Sequence, residues 1–151
     1  MDSEENLDHL VISKINNFIY LGSREHPLTN TEEFEKLEID VIINCSIEVV
    51  YPVYEENKYI IKNFRIKDGD TISFLDNIDI VVDTMHRYLC QGKKIYLHGV
   101  KGISRSPAIL IYYLMAKKGF RFDRAYDLLR KIRPIVEINE EFENALRCIE
   151  E

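Results

Sequence analysis

The chain has 151 residues, 46% apolar and 30% charged, with 6 Gly, 4 Pro and 3 Cys, which fits one globular domain over 1–151 and excludes a collagen-like, disordered or disulfide-stapled chain. Its net charge of −6 is uneven: residues 1–90 carry 8 Lys/Arg against 18 Asp/Glu, and residues 91–151 carry 12 against 8. The longest apolar stretch, 108–116, is far short of the roughly 20 residues that span a bilayer, and the acidic start Met1-Asp2-Ser3-Glu4-Glu5-Asn6 lacks a secretory pattern, so a cytoplasmic or nuclear protein is expected.

Turn signals divide the chain into alternating strand-like and helix-like pieces, which predicts an α/β domain. Strands rich in Ile, Val, Tyr and Phe are predicted at 18–21, 41–45, 59–66 and 94–98, with a short helix at 31–37. Ile78, Val81, Val82, Met85 and Leu89 form the stripe of an amphipathic helix that Gly92 stops. Ser106-Pro107 reads as an N-cap and first helical position of a nearly all-apolar helix ending at Gly119. Asp123 is expected to cap the next helix, with Ala125, Leu128, Leu129 and Ile132 inward and Pro134 beyond its end. Asn139 is expected to cap the last, with Phe142, Ala145, Leu146 and Ile149 inward and Glu140 and Glu141 in the first turn.

Cys45, Cys90 and Cys148 show no metal-ligand spacing and are odd in number, so reduced thiols and no zinc are expected. Residues 93–133 hold 11 basic residues and only Asp123 and Asp127 as acids. Such a run would attract an anion, but on charge alone it reads first as a set of solvated helix faces.

The chemistry is carried by the connection between the strand ending at His98 and the helix near Pro107: Gly99-Val100-Lys101-Gly102-Ile103-Ser104-Arg105. A short glycine-containing turn from strand to helix can point successive backbone N–H groups at an anion, with the helix dipole behind them. Arg105 adds a planar fork matched to two phosphate oxygens. The Gly-x4-Gly-Lys-Ser/Thr spacing of a nucleotide-binding loop is absent.

His98 to Ser106 resembles the His-Cys-x5-Arg-Ser/Thr signature of cysteine-dependent protein tyrosine phosphatases, in the Gly-Ile-Ser-Arg-Ser form of the dual-specificity phosphatases, with Gly99 where that family has its nucleophilic cysteine. The resemblance extends to Phe18-Ile19-Tyr20-Leu21-Gly22-Ser23, to Val41-Ile42-Ile43-Asn44-Cys45-Ser46, and to Arg133-Pro134 followed by Asn139 and Phe142. It implies a central mixed, mostly parallel sheet flanked by helices. It also implies a phosphate cradle of Val100, Lys101, Gly102, Ile103, Ser104 and Arg105, with His98 and Asn139 in support. Ser106 would assist hydrolysis of a phosphocysteine, and Asp68, with Asp70 as competitor, would be the general acid.

Without a nucleophile, the implied function is to bind phosphotyrosine, phosphoserine or phosphothreonine in a partner protein without hydrolysing it. The glycine is equally that of a natural pseudophosphatase, as in the phosphoserine/threonine/tyrosine-interacting proteins, or of a replaced cysteine in an active parent. A lipid or RNA phosphate is the alternative ligand, Lys101 being the residue that suggests it, and a pure interaction scaffold is the third reading. Nucleic acid is disfavoured as a partner, no cofactor or metal is implied, and the oligomeric state is not readable.

Overall fold

The computed structural model describes residues 7–51 and 58–150; the acidic stretch 1–6, residues 52–57 and residue 151 lie outside the described residues. Its strands are β1 (Ser13–Lys14), β2 (Ile19–Gly22), β3 (Val41–Asn44), β4 (Ile60–Asn63) and β5 (Ile95–His98). They form one sheet in the order β1-β2-β5-β3-β4, antiparallel between β1 and β2 and parallel elsewhere. This is the mixed, mostly parallel α/β sheet expected from the sequence.

The two-residue period of the strands divides the core. Ile19, Leu21, Val41, Ile43, Ile95 and Leu97 point to one face, which is covered by α3 (Thr71–Cys90), α4 (Arg105–Lys118), α5 (Phe122–Ile132) and α6 (Glu140–Glu150). Tyr20, Ile42 and Tyr96 point to the other, where they meet Phe34 from α2 (Glu32–Lys36), which follows α1 (Glu25–Thr29). Between α3 and α6, Phe74 and Phe142 stack with ring centroids 4.3 Å apart.

Register places the site. Gly22, His98, Asn44 and Asn63 lie side by side at the carboxyl ends of the four parallel strands. The segments that leave those ends carry Glu48 after β3, Asp68 after β4 and the 99–105 loop after β5, so three distant stretches of sequence converge on the edge where open α/β sheets bind ligands.

Several local expectations are corrected. β4 is shorter than 59–66, and α1 and β1 were not foreseen. The long helix α3 begins at Thr71, because the Asp70 carboxylate accepts a bond from Ser73 N and caps it. Helix α4 starts at Arg105 with Ser104 as N-cap, not at Ser106-Pro107. Closure of the loop makes Ser104 O the first helical acceptor, from Ala108 N at 2.9 Å. Pro107 is still within the first turn, where a missing N–H costs nothing. Asp123 does not cap α5; Phe122 N is bonded instead by the Glu150 carboxylate of α6 at 2.6 Å, and Asp123 pairs with Arg147. Ile149, expected inward, is 41% exposed. Asn139 caps α6 as expected, its Oδ1 accepting from Phe142 N.

Candidate functional site

Every carbonyl from Gly99 to Ser104 is held from outside the loop. Gly99 O accepts from His98 Nδ1, Val100 O from Arg24 N, Lys101 O and Gly102 O from Arg133, Ile103 O from Glu137 N and Ser104 O from Ala108 N. In a trans peptide the N–H points opposite to the preceding C=O, so the N–H groups of Val100 to Arg105 turn to the inner side. Those of Val100, Lys101, Gly102, Ile103 and Ser104 find no acceptor among the described residues. Six consecutive N–H groups around one concavity, with the N-terminus of the 14-residue α4 at its base, form an anion cradle.

The loop conformation depends on Gly102. Its φ is +71°, and a Cβ there would stand 2.7 Å from Gly22 O and 2.9 Å from an Arg133 guanidinium nitrogen. Arg133 is 2% exposed and ties the loop to the N-terminal segment: besides Lys101 O and Gly102 O it donates to His9 O, Val11 O and Ser13 Oγ. Sequence reading placed Arg133 in a family pattern but assigned it no role at the site, since backbone acceptors leave no trace in sequence. Arg133→Ala is expected to lower stability by about 3–5 kcal/mol, because it leaves five acceptors, two buried and three part-buried, without their donor. A urea titration checks this, and a loss below about 1 kcal/mol would contradict the anchoring role.

His98 is fully buried. Gly99 O can only accept, so Nδ1 carries the proton and Nε2 accepts from the Tyr51 hydroxyl at 2.8 Å. Burial pushes the pKa of the imidazole down to about 4, so the neutral ring is a fixed part of the wall at neutral pH.

Arg105 is 7% exposed and is oriented by a residue the sequence did not flag. Glu48 grips it bidentately, with Nη1 to Oε1 at 2.5 Å and Nη2 to Oε2 at 2.9 Å, while Nη1 also donates to Ile66 O at 3.0 Å. Those hydrogen bonds hold the Glu48 carboxyl below the usual carboxylate range. Of the five guanidinium donors, the described residues engage three and leave two, Nε–H and one Nη2 hydrogen, which lie on one edge and form a fork.

At Gly99 a built Cβ meets Arg105 Cβ at 3.6 Å, Arg105 Nε at 3.9 Å and Ser106 N at 3.9 Å, all ordinary contacts. The position therefore has room for a side chain, beside the free edge of Arg105. Ser106 Oγ is buried and has no partner among the described residues.

These groups line a cleft of about 570 Å³ that includes Gly99 to Ser106, Glu48, Asp68 and Asn139. The two acids left open by the sequence now separate: Asp70 is the cap of α3, whereas Asp68 lines the cleft and accepts from Asn139 Nδ2 at 2.8 Å. Asn139 also reaches the loop, its N–H donating to Ser104 Oγ at 3.0 Å. Lys101 is exposed. No cysteine lines the cleft. Cys45 is fully buried, with its thiol pushed up to about 12 by burial, and Cys90 and Cys148 are exposed on α3 and α6. Among the described residues no group of three or more His, Cys, Asp or Glu is placed to hold a metal ion, and no helix is long and apolar enough to cross a membrane.

Known proteins share this architecture and sequence. The chain is 35% identical over 134 residues to AMV078 of Amsacta moorei entomopoxvirus, which carries the name of a tyrosine-protein phosphatase, covering 82% of this chain and 78% of that protein. It is 28% identical over 131 residues to the dual specificity protein phosphatase 18 of Bos taurus, covering 87% and 68%. The crystal structure of the human tyrosine phosphatase-like serine/threonine/tyrosine-interacting protein superposes with a TM-score of 0.80 at 23% identity, over 92% of this chain and 95% of that one. Residues 19–151 match the family model described as dual specificity phosphatase, catalytic domain, and with the strand-loop-helix cradle at their centre the chain belongs to the dual specificity phosphatase family.

Proposed function

We propose that this chain binds phosphorylated side chains of proteins without hydrolysing them. The observation that carries the reading is the pairing of an intact set of anion donors, the inward N–H groups of Val100 to Arg105 and the free edge of Arg105, with a glycine at the position where the family's nucleophile would stand. A phosphate dianion needs donors to bind and a nucleophile to be transferred; Gly99 removes the second and leaves the first. The Ser106 hydroxyl, buried and without a partner among the described residues, belongs to a residue whose backbone N lies 3.9 Å from a Cβ built at position 99, which is consistent with the reading. Binding also loses a repulsion, since a thiolate against a phosphate dianion is a like-charge contact.

Phosphotyrosine, phosphoserine and phosphothreonine are the ligand class. By resemblance to the dual specificity phosphatases, the cleft would be shallow enough to accept all three. Isothermal calorimetry with matched peptides tests the reading: the phosphorylated form is expected to bind at least tenfold more tightly than the unphosphorylated form, with no phosphate released. Equal affinity for the two would overturn it.

A further inference from the structure

The charges around the cleft point to a narrower ligand. Its lining includes the cations Lys101 and Arg105 and the acids Glu48, Asp68, Glu137 and Glu140. Glu48 and Arg105 form a bidentate pair and cancel, so the uncompensated groups are one lysine and three carboxylates. Asp68 is bonded by the neutral amide of Asn139, and Glu137 and Glu140 are exposed and join no ion pair among the described residues. Of the basic run of 93–133, only Lys101 and Arg105 are in this lining; Arg130 lies with Glu137 on the adjoining cleft but forms no ion pair with it, and Arg133 is buried behind the loop.

The floor has the opposite character. There the loop N–H groups and the helix N-terminus present partial positive charge at short range, and Ser106, whose buried hydroxyl has no partner among the described residues, belongs to the same lining. A single phosphate is received by these fixed donors, whereas any further anion of the ligand must lie against Asp68, Glu137 and Glu140.

Resting on the phosphoprotein-binding reading, we propose that the preferred ligand is a singly phosphorylated side chain flanked by lysine or arginine, and that Glu137 and Glu140 select it over phosphate-dense polyanions. Like-charge placement at a rim discriminates among partners more than it adds affinity, and the effect is screened by salt.

The test compares three phosphotyrosine peptides of equal length, with basic, neutral and acidic flanks, the unphosphorylated basic peptide, and a single-stranded RNA bearing a 5′-phosphate, by fluorescence anisotropy at two ionic strengths. The basic-flanked phosphopeptide is expected to bind roughly tenfold more tightly than the acidic-flanked one at low salt. The ratio should shrink with added salt and fall to within about threefold in the Glu137→Gln/Glu140→Gln double variant, whose fold is checked by circular dichroism. Equal binding of basic and acidic flanks, a preference untouched by the double variant, or tighter binding of the RNA would overturn the assignment. If the unphosphorylated basic peptide binds as well as its phosphorylated form, the phosphate reading itself falls and takes this one with it.

Discussion

Gly99→Cys is expected to turn the chain into a phosphatase, releasing phosphate from a phosphotyrosine peptide on the order of 10⁴ to 10⁶ times faster than the chain as it stands, the scale of loss when the nucleophile of a covalent mechanism is removed. The new Cβ meets nothing closer than 3.6 Å, so the substitution should not disturb the loop. A sulfur there lies beneath the inward N–H groups and near Arg105, surroundings that lower a thiol pKa and favour the thiolate. The thiolate attacks phosphorus as the P–O bond to the tyrosine oxygen breaks, and that oxygen takes a proton from solvent or from a general acid, the role we propose for Asp68. Water then attacks the phosphocysteine, and phosphate leaves as the thiolate is regenerated. The measurement is phosphate release, with Gly99→Ser as the control for a side chain that fits but is a poor nucleophile. If Gly99→Cys stays as inert as its parent while binding phosphopeptide, the site lacks more than its nucleophile, and the general-acid role proposed for Asp68 is the first to be abandoned.

How far the site could be read from sequence follows from where its parts lie along the chain. His98 to Ser106 is contiguous, and a glycine-containing turn between an apolar strand and an apolar helix is legible without any structure. Glu48 was not legible, because it stands 57 residues from the arginine it grips and in sequence is one acid among the many of the first half. Only the pairing of β3 with β5, with Asn44 opposite His98, brings the two segments together. Arg133 is similar: four of its five partners are backbone carbonyls, and a carbonyl has no letter in the sequence.

Charge counting was less informative than motif. On charge alone the basic run reads first as solvated helix faces and second as an anion-attracting face; the structure puts Lys117, Lys118, Arg124, Arg130 and Lys131 on helix surfaces, with Lys117 paired to Asp83, and only Lys101 and Arg105 in the cleft lining. Helix starts failed where a distant residue took over the capping, as Glu150 does at Phe122. They held where the cap was local, as at Asn139 and at Thr31, whose Oγ accepts from Phe34 N to start α2.

Arg105→Ala should cost about two orders of magnitude in phosphopeptide affinity, and the loss should be strongly non-additive with a change at Glu48. The arginine offers the ligand two charge-assisted donors, Nε–H and the spare Nη2 hydrogen, each worth about 1.5–3 kcal/mol when desolvated. Its removal does more than delete them. Glu48, half exposed and now held by two guanidinium nitrogens, would become an uncompensated carboxylate at the mouth of an anion site, adding repulsion to the lost attraction. In the double variant Arg105→Ala/Glu48→Gln that repulsion is gone, so affinity is expected to recover roughly five- to tenfold over Arg105→Ala alone. Glu48→Gln by itself is expected to weaken binding, because a guanidinium no longer gripped at two points spends less time with its free edge toward the loop. A double-mutant cycle by calorimetry with one phosphotyrosine peptide measures the coupling. Undiminished binding by Arg105→Ala would place the ligand on another surface and make the cleft a relic of the family, whereas additive losses at the two positions would mean that Glu48 acts on the ligand independently of the arginine it holds.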